Sequence, residues 1–333
     1  MQDSRRWPVV SVKEPGMTRT LQTSPANPDR VGSLPEWFPL QWTKLDTPIL
    51  SPRERGFDSR NVYNVAACQQ GNTTTLLVRG ETREEAPTLC TGRLGLAFSE
   101  DGVTFHREVD PVLVPDAPYE ARGVEDPRLI EVDGTYYLTY TSYDGNKARL
   151  CLATSPDLRN WRRYGPLFPE FPEFDHWTKS GAILARPGRH VMYFGDFDIW
   201  MATSDNLTDW EYRSQPVIAR RPDSFESRLI EPGPPPFLTR HGIVLIYNCA
   251  DRRNRYSTTA ALFHPDRPWE LLDRLEEPFL KPSLDWEIYG YVNHVTFAEG
   301  LVRRGDRFYL YYGGADRHVG LAQATVPKGY LAD

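Results

Sequence analysis

Residues 123–129 read GVEDPRL, two adjacent carboxylates followed by a proline and an arginine, directly ahead of the apolar, tyrosine-rich run GTYYLTYTS. Turn chemistry alone would assemble such residues, because Asp and Pro favour turns and Arg is an ordinary partner for Glu. The same types also suit a reacting carboxylate whose proton affinity is set by neighbouring charges. Comparable polar groups follow other apolar runs: Arg79 and Glu81, Asp196 and Asp198, Asp251, and Asp316. Acids gathered in one funnel with Trp, Tyr and His suit carbohydrate, since aromatic faces cover sugar rings while acids and amides bind hydroxyls. Calcium is a rival for any acid cluster, but the run-like oxygen-ligand loop of an EF-hand is missing. No metal or organic cofactor is expected.

An element that gathers such distant residues is written in the chain as a repeat. GLAFSEDGVTFHR at 95–107, CLATSPDLRNWRR at 151–163 and WMATSDNLTDWEY at 200–212 share an Ala-x-Ser start, an acid and a later aromatic residue, with degenerate copies at 260–272 and 320–327. The aligned alanines, 97, 153, 202, 261 and 322, are separated by 56, 49, 59 and 61 residues. An apolar strand ending in a polar turn precedes each copy, so the unit is an antiparallel sheet repeated at a blade-sized period. The expected fold is all-β, a five-bladed β-propeller over residues 51–333, with the Pro-rich residues 1–50 as an extension wrapping the outside. An irregular β-sandwich is the alternative. In a propeller, polar residues at equivalent strand ends converge on a central channel, so the site is expected there.

Composition agrees with this class. With 9 Trp, 17 Tyr and 15 Phe beside 24 Gly and 29 Pro, the chain favours short strands and turns over long helices. A net charge of −6 disfavours nucleic acid as a partner. Apolar runs such as GIVLIY fall far short of the roughly 20 residues that span a bilayer, so no membrane partner is expected. Four scattered cysteines without a CxxC pair suggest reduced thiols, and with no apolar secretory segment at the N-terminus a cytoplasmic location is expected.

GVEDPRL with DGTYYLTYTS, then LATSPDLRNW, IEPGPPPFLTRHGIVLIYN and EIYGYVNHVTFAEGLV with YLYYGGAD, together resemble glycoside hydrolase family 130 from about residue 57 to 325. The resemblance implies a five-bladed propeller acting on β-mannosides, either as an inverting phosphorylase or as an inverting hydrolase. It assigns Asp126 as proton donor, acting through a hydroxyl of the bound mannose, with Glu125 and Arg128 orienting it or binding sugar. Nearby acids are expected to raise the pKa of Asp126. Asn64, Arg79 and Asp316 match mannosyl contacts, and Lys179 matches a lysine able to pair with Asp126. Asp196, Tyr247 and His294 are further substrate-binding candidates, and Trp177, Trp286, Tyr289 and Tyr291 are candidate subsite walls.

The choice of acceptor rests on what faces Asp126. A phosphorylase needs cations to hold a dianion, whereas a hydrolase needs a carboxylate to deprotonate water. The strand RHVMYFGDFD lacks the family's His-Arg pair, and Glu231 stands before GPPP where phosphorylases tend to carry small residues. Glu231, with Glu287 as a second candidate, is therefore read as the base. The expectation is an inverting, exo-acting β-mannosidase, with β-1,2 linkages favoured. The alternatives are a β-mannoside phosphorylase and a non-catalytic mannoside-binding propeller. A homo-oligomer is an open possibility.

Overall fold

The structure, a computed structural model, describes residues 34–86, 90–172 and 174–332. Its strands form five small antiparallel sheets, the blades of a five-bladed β-propeller. Blade I runs outward through Asn61–Gln70, Thr73–Glu81, Arg93–Ser99 and His106–Leu113. Blade II comprises Gly123–Val132, Thr135–Tyr143, Ala148–Ser155 and Arg162–Pro166. Blade III comprises Ala182–Leu184, His190–Phe194, Trp200–Ser204 and Glu211–Tyr212. Blade IV comprises Leu229–Pro232, Gly242–Ala250, Tyr256–Phe263 and Leu271–Arg274, with Phe237–Thr239 beside its second strand.

Blade V takes Thr296–Arg304, Arg307–Gly314 and His318–Thr325 from the end of the chain and Thr43–Lys44 from near its start. The pairing of Thr43 with Gln323 and of Lys44 with Ala322 closes the ring. Trp37, Phe38 and Leu40 are buried with Val244, Leu310 and Tyr312. Residues 35–50 therefore complete a blade and its core, and the propeller starts earlier than the boundary at 51. The rest of the expected extension, residues 1–33, lies outside the described residues.

The repeated signature has a local physical cause. Ser99, Ser155 and Ser204 end the third strands of blades I to III, and their hydroxyls meet Asp101, Asp157 and Asn206 two residues later. The oxygens of those three side chains accept backbone N–H groups two and three residues further on. This fixes an Asx-type turn. The residue after each, Gly102, Leu158 or Leu207, is held at positive φ of 75°, 64° or 65°. Trp161 and Trp210 then close their turns by donating to the carbonyls of Leu158 and Leu207.

Both faces of a blade are covered by its neighbours, which explains why a strand such as Gly242–Ala250 is buried along its whole length. Five apolar clusters fill the interfaces, one between each adjacent pair of blades. At about 25 cal/mol per Å² of apolar surface removed from water, this burial is the main source of the fold's stability. It leaves the channel-facing ends of the strands free to carry polar groups.

Candidate active site

The innermost strands are Asn61–Gln70, Gly123–Val132, Ala182–Leu184, Leu229–Pro232 and Thr296–Arg304. The apolar strands ending near Arg79, Asp196, Asp251 and Asp316 are the second ones. The site draws on both sets. Three innermost strands carry β-bulges where a polar residue meets the channel: between Tyr63 and Val65, between Glu125 and Arg128, and between Ala298 and Gly300. Each bulge frees a residue from the ladder and re-aims its side chain. The residues freed are Asn64, Asp126 with Pro127, and Glu299. Asn64 and Asp126 stand at positive φ, 46° and 48°, a strained geometry that clusters at functional sites.

Asp126 is buried, and three groups hold its carboxylate. Oδ1 accepts from Asn64 Nδ2 at 2.8 Å and from Arg79 Nη1 at 2.7 Å, while Lys179 Nζ lies 3.5 Å from Oδ2. Arg79 also reaches Glu125 at 3.0 Å and Glu81 at 3.3 Å, and its guanidinium lies over the Tyr63 ring, 4.5 Å from the centroid. Glu81 is fixed in turn by Asn61 Nδ2 and the Tyr63 hydroxyl.

Lys179 is the second hub. Its ammonium lies 3.3 Å from Glu231 Oε2 and 3.9 Å from Asp196 Oδ1, besides its contact with Asp126. These contacts to one nitrogen keep the nearest oxygens of Asp126 and Glu231 within about 7 Å, against the roughly 6.5–9.5 Å carboxyl separation of inverting hydrolases. Ser180, held at a φ of 55°, donates its hydroxyl to the same Glu231 oxygen at 2.6 Å. Asp196 Oδ2 accepts the indole N–H of Trp177 at 2.5 Å.

These contacts divide the acids. Burial alone would raise Asp126, but Arg79, Lys179 and Arg128 outweigh it and hold the carboxyl well below the usual range. This corrects the expectation that neighbouring acids raise it. Glu125 beside it moves the other way: burial pushes it up to about 7 against the pull of Arg79. Burial likewise raises Glu231 to about 7 against the pull of Lys179, with Asp196 adding to the rise. Asp316, just beyond the second strand of blade V, is raised by burial to about 7 against the pull of Arg79. Lys179 is held well above its usual value: burial opposes its charge, and Glu231, Asp196 and Asp126 together outweigh burial.

Arg128 does not face open solvent. It is almost fully buried and spends its donors on backbone carbonyls, including that of Asp126. Glu287 also departs from the expectation of a second base. Its oxygens accept from Lys44 Nζ at 2.6 Å, from the Tyr312 hydroxyl at 2.7 Å and from the N–H groups of Ser283 and Leu284, so it anchors a single helical turn, Asp285–Ile288, to blade V. A carboxylate with both oxygens so engaged has no lone pair aimed at a water in the channel.

Tyr247 is likewise turned away, donating to Glu226, which Arg221 and Arg274 hold within the interface of blades III and IV. His294 is exposed at a φ of 60°, and its backbone links Tyr256 and Ile288. Asp198 and Asp251 pair with Arg220 and Arg255. Trp286 stacks on Tyr312, while Tyr289 and Tyr291 are 68% and 37% exposed.

Sequence reasoning missed four residues at or beside the site. Ser180 lies in the loop just before the three-residue innermost strand of blade III, and Glu299 sits at a bulge in the innermost strand of blade V. Arg228 precedes Glu231 by three positions and donates to the Tyr256 hydroxyl at 2.8 Å, and Tyr256 is close enough to Glu231 and Asp316 to feel their charge. A cation immediately upstream of the IEPGPPP run was a usable signal. The arrangement can bind a polyhydroxylated ring, hold a fixed carboxylate against it and offer cations and a proton-bearing carboxyl to an acceptor.

The model of one protein family, described as β-1,4-mannooligosaccharide phosphorylase, matches residues 45–328. Among curated relatives, a 1,2-β-oligomannan phosphorylase of Thermoanaerobacter sp. (strain X514) is 36% identical over 83% of this chain and 94% of its own length. A β-1,2-mannobiose phosphorylase of the same strain is also 36% identical, over 83% and 94%. Among solved structures, one is described in terms of glycoside hydrolases of the mannoside phosphorylase family that target β-1,2 mannosidic linkages in Candida mannan. It is 32% identical with a TM-score of 0.82 and covers 91% of this chain and 99% of its own. A glycosyl hydrolase from Bacteroides ovatus is 32% identical with a TM-score of 0.79, over 90% and 98%. The match extends through all five blades and takes in the bulge that carries Asp126, so the chain belongs to glycoside hydrolase family 130.

Proposed function

We propose that the protein cleaves the terminal β-1,2-mannosidic bond of short mannosides by inverting phosphorolysis. Asp126 is the proton donor through a sugar hydroxyl, and inorganic phosphate is the acceptor. The linkage and the acceptor are supported by the curated relatives, which are β-1,2-mannoside phosphorylases. The sequence favoured water because Glu231 would repel phosphate. The observation that carries the revised reading is the setting of Glu231: Lys179 lies 3.3 Å from it, the Ser180 hydroxyl donates to it, and burial raises it to about 7, so a substantial share of it is protonated near neutrality. A protonated Glu231 donates to a phosphate oxygen instead of repelling it, and Lys179, with Arg228 nearby, supplies cations.

Asn64 and Arg79 fix Asp126 and offer mannose a polar floor, with Glu125 and Asp316 as further hydroxyl partners. Asp126 is ionised in the free site, so substrate binding has to displace Lys179 or Arg79 from it, and Asp126 then takes up one proton from solvent before it can act as donor. The proton then passes from Asp126 to a mannose hydroxyl, and that hydroxyl's own proton goes to the departing glycosidic oxygen. Phosphate attacks the anomeric carbon from the opposite face, giving α-mannose 1-phosphate.

Hydrolysis is the second reading, favoured by Glu231 itself: a carboxyl poised near 7 also suits a general base, and a similar solved structure is described in terms of hydrolases. The test is a panel of β-1,2-, β-1,3- and β-1,4-mannobioses, each incubated with and without phosphate. Phosphate-dependent turnover of the β-1,2 isomer is expected. Equal release of free mannose in both buffers would establish the hydrolase, and no turnover of any isomer would reject the reading.

A further inference from the structure

Arg128 and Glu299 make a contact that the assignment of Asp126 does not require. Arg128 belongs to blade II, but its guanidinium crosses to blades IV and V. Nε donates to the carbonyl of Gly233 at 3.1 Å, Nη2 to that of Pro232 at 2.7 Å, and Nη1 to that of Asp126 at 2.9 Å. Nη1 also lies 3.1 Å from Glu299 Oε1. The Asp126 carbonyl needs this donor, because the bulge takes Asp126 and Pro127 out of register with the neighbouring strand. Pro232 and Gly233 directly follow Glu231, so one planar fork grips the backbone of the acid and the backbone beside the acceptor-side carboxylate. A Cβ on Gly233 would come within 2.8 Å of the Ile246 carbonyl and 2.9 Å of the Ala298 carbonyl, so the strands leave no slack there.

Glu299 is the anchor. It is completely buried, and neither carboxylate oxygen has a hydrogen-bond partner, which leaves the guanidinium of Arg128 as its only ionic contact among the described residues. Burying a carboxyl with so little satisfaction is destabilising. Burial holds its carboxyl well above the usual range against the pull of Arg128, so its one visible return is to fix the plane of the fork by contact.

We infer that Arg128 and Glu299 act as a single cross-channel tie: Glu299, through Arg128, sets the spacing between Asp126 and Glu231. Both are positioning residues, and the inference rests on Asp126 and Glu231 being the reacting pair. Losing the tie misplaces the two carboxylates relative to each other while leaving the sugar-binding floor of Asn64 and Arg79 in place, so turnover falls and substrate affinity does not.

The experiment compares Glu299→Gln, Arg128→Gln and the double variant with wild type, using the acceptor that wild type uses and recording kcat, KM for β-1,2-mannobiose and Tm. Each single variant is expected to lose at least tenfold in kcat with KM within threefold, and the double is expected to be no worse than the poorer single, because the pair acts as one unit. A folded Glu299→Gln enzyme with kcat within threefold of wild type, a loss confined to KM, or losses that multiply in the double would overturn the tie. Should Glu299→Gln fail to fold, Arg128→Lys keeps the charge without the fork and is held to the same kcat and KM criteria. An inactive wild type would reject the functional reading instead. Tm then decides the tie, and additive losses across the cycle would refute it.

Discussion

Replacing Lys179 with methionine removes the one cation shared by Asp126, Asp196 and Glu231, at 3.5, 3.9 and 3.3 Å. At an effective dielectric of about 20, each contact carries about 4–5 kcal/mol of Coulomb attraction. Water entering the vacated space returns much of this, yet a net loss of about 1.4 kcal/mol at Glu231 already raises its pKa by about one unit. The carboxyl, now at about 7, would then hold its proton to about pH 8 or higher. The assay is the pH dependence of kcat/KM for phosphorolysis of β-1,2-mannobiose. In wild type, activity falls as pH rises through about 7, because Glu231 ionises and repels phosphate. In Lys179→Met this limb moves at least one unit to higher pH, the KM for phosphate rises about tenfold, and Lys179→Arg restores most of both. A folded Lys179→Met enzyme whose alkaline limb stays in place would refute the electrostatic account of Glu231.

Asp126→Asn should cut turnover at least a hundredfold, since general-acid transfer contributes about 10²–10⁴, and progress curves against wild type check it. Glu231→Gln, which keeps a donor toward phosphate, should retain phosphorolysis within about tenfold and lose the alkaline limb, whereas a hundredfold loss would point to a base acting on water. Glu287→Gln should leave kcat within threefold but lower Tm, because breaking a buried pair costs about 3–5 kcal/mol and Lys44 and Tyr312 lose their partner; calorimetry beside kinetics separates the two effects. Glu125, Glu231 and Asp316 are all raised to about 7, above their unfolded values near 4. Their contribution to stability is complete below about pH 4 and is lost as pH rises through 7, so in thermal melts Tm should be higher at pH 5.5 than at pH 8.

The fold was legible because its signature is a local turn, not a remote contact. Each Ser-x-Asp/Asn segment must form its Asx turn wherever it lies, so spacing alone revealed the blades. The closing strand was not legible, since Thr43–Lys44 is only two residues long and its partner is at the other end of the chain. Asp126, Arg79, Lys179 and Glu231 were readable from short motifs, and the structure gathers them around two cations. Their protonation was not readable: which carboxyl of the EDPR run keeps the proton depends on three donors, two brought from blade I and one from the loop that precedes blade III. Glu299 escaped notice because a bulge breaks the alternation that would have aimed it inward, and Glu287 looked catalytic because DWE sits among aromatics when its carboxylate caps its own helical turn.

The central claim is that phosphate, not water, receives the mannosyl group. The direct measurement is a phosphorus NMR time course of purified protein with β-1,2-mannobiose and inorganic phosphate, with free mannose quantified in parallel. The account predicts a growing α-mannose 1-phosphate signal, equimolar with the mannose released, and no turnover when phosphate is omitted. Two mannoses per mannobiose, no phosphate ester and the same rate without phosphate would contradict it and make Glu231 the base of a hydrolase.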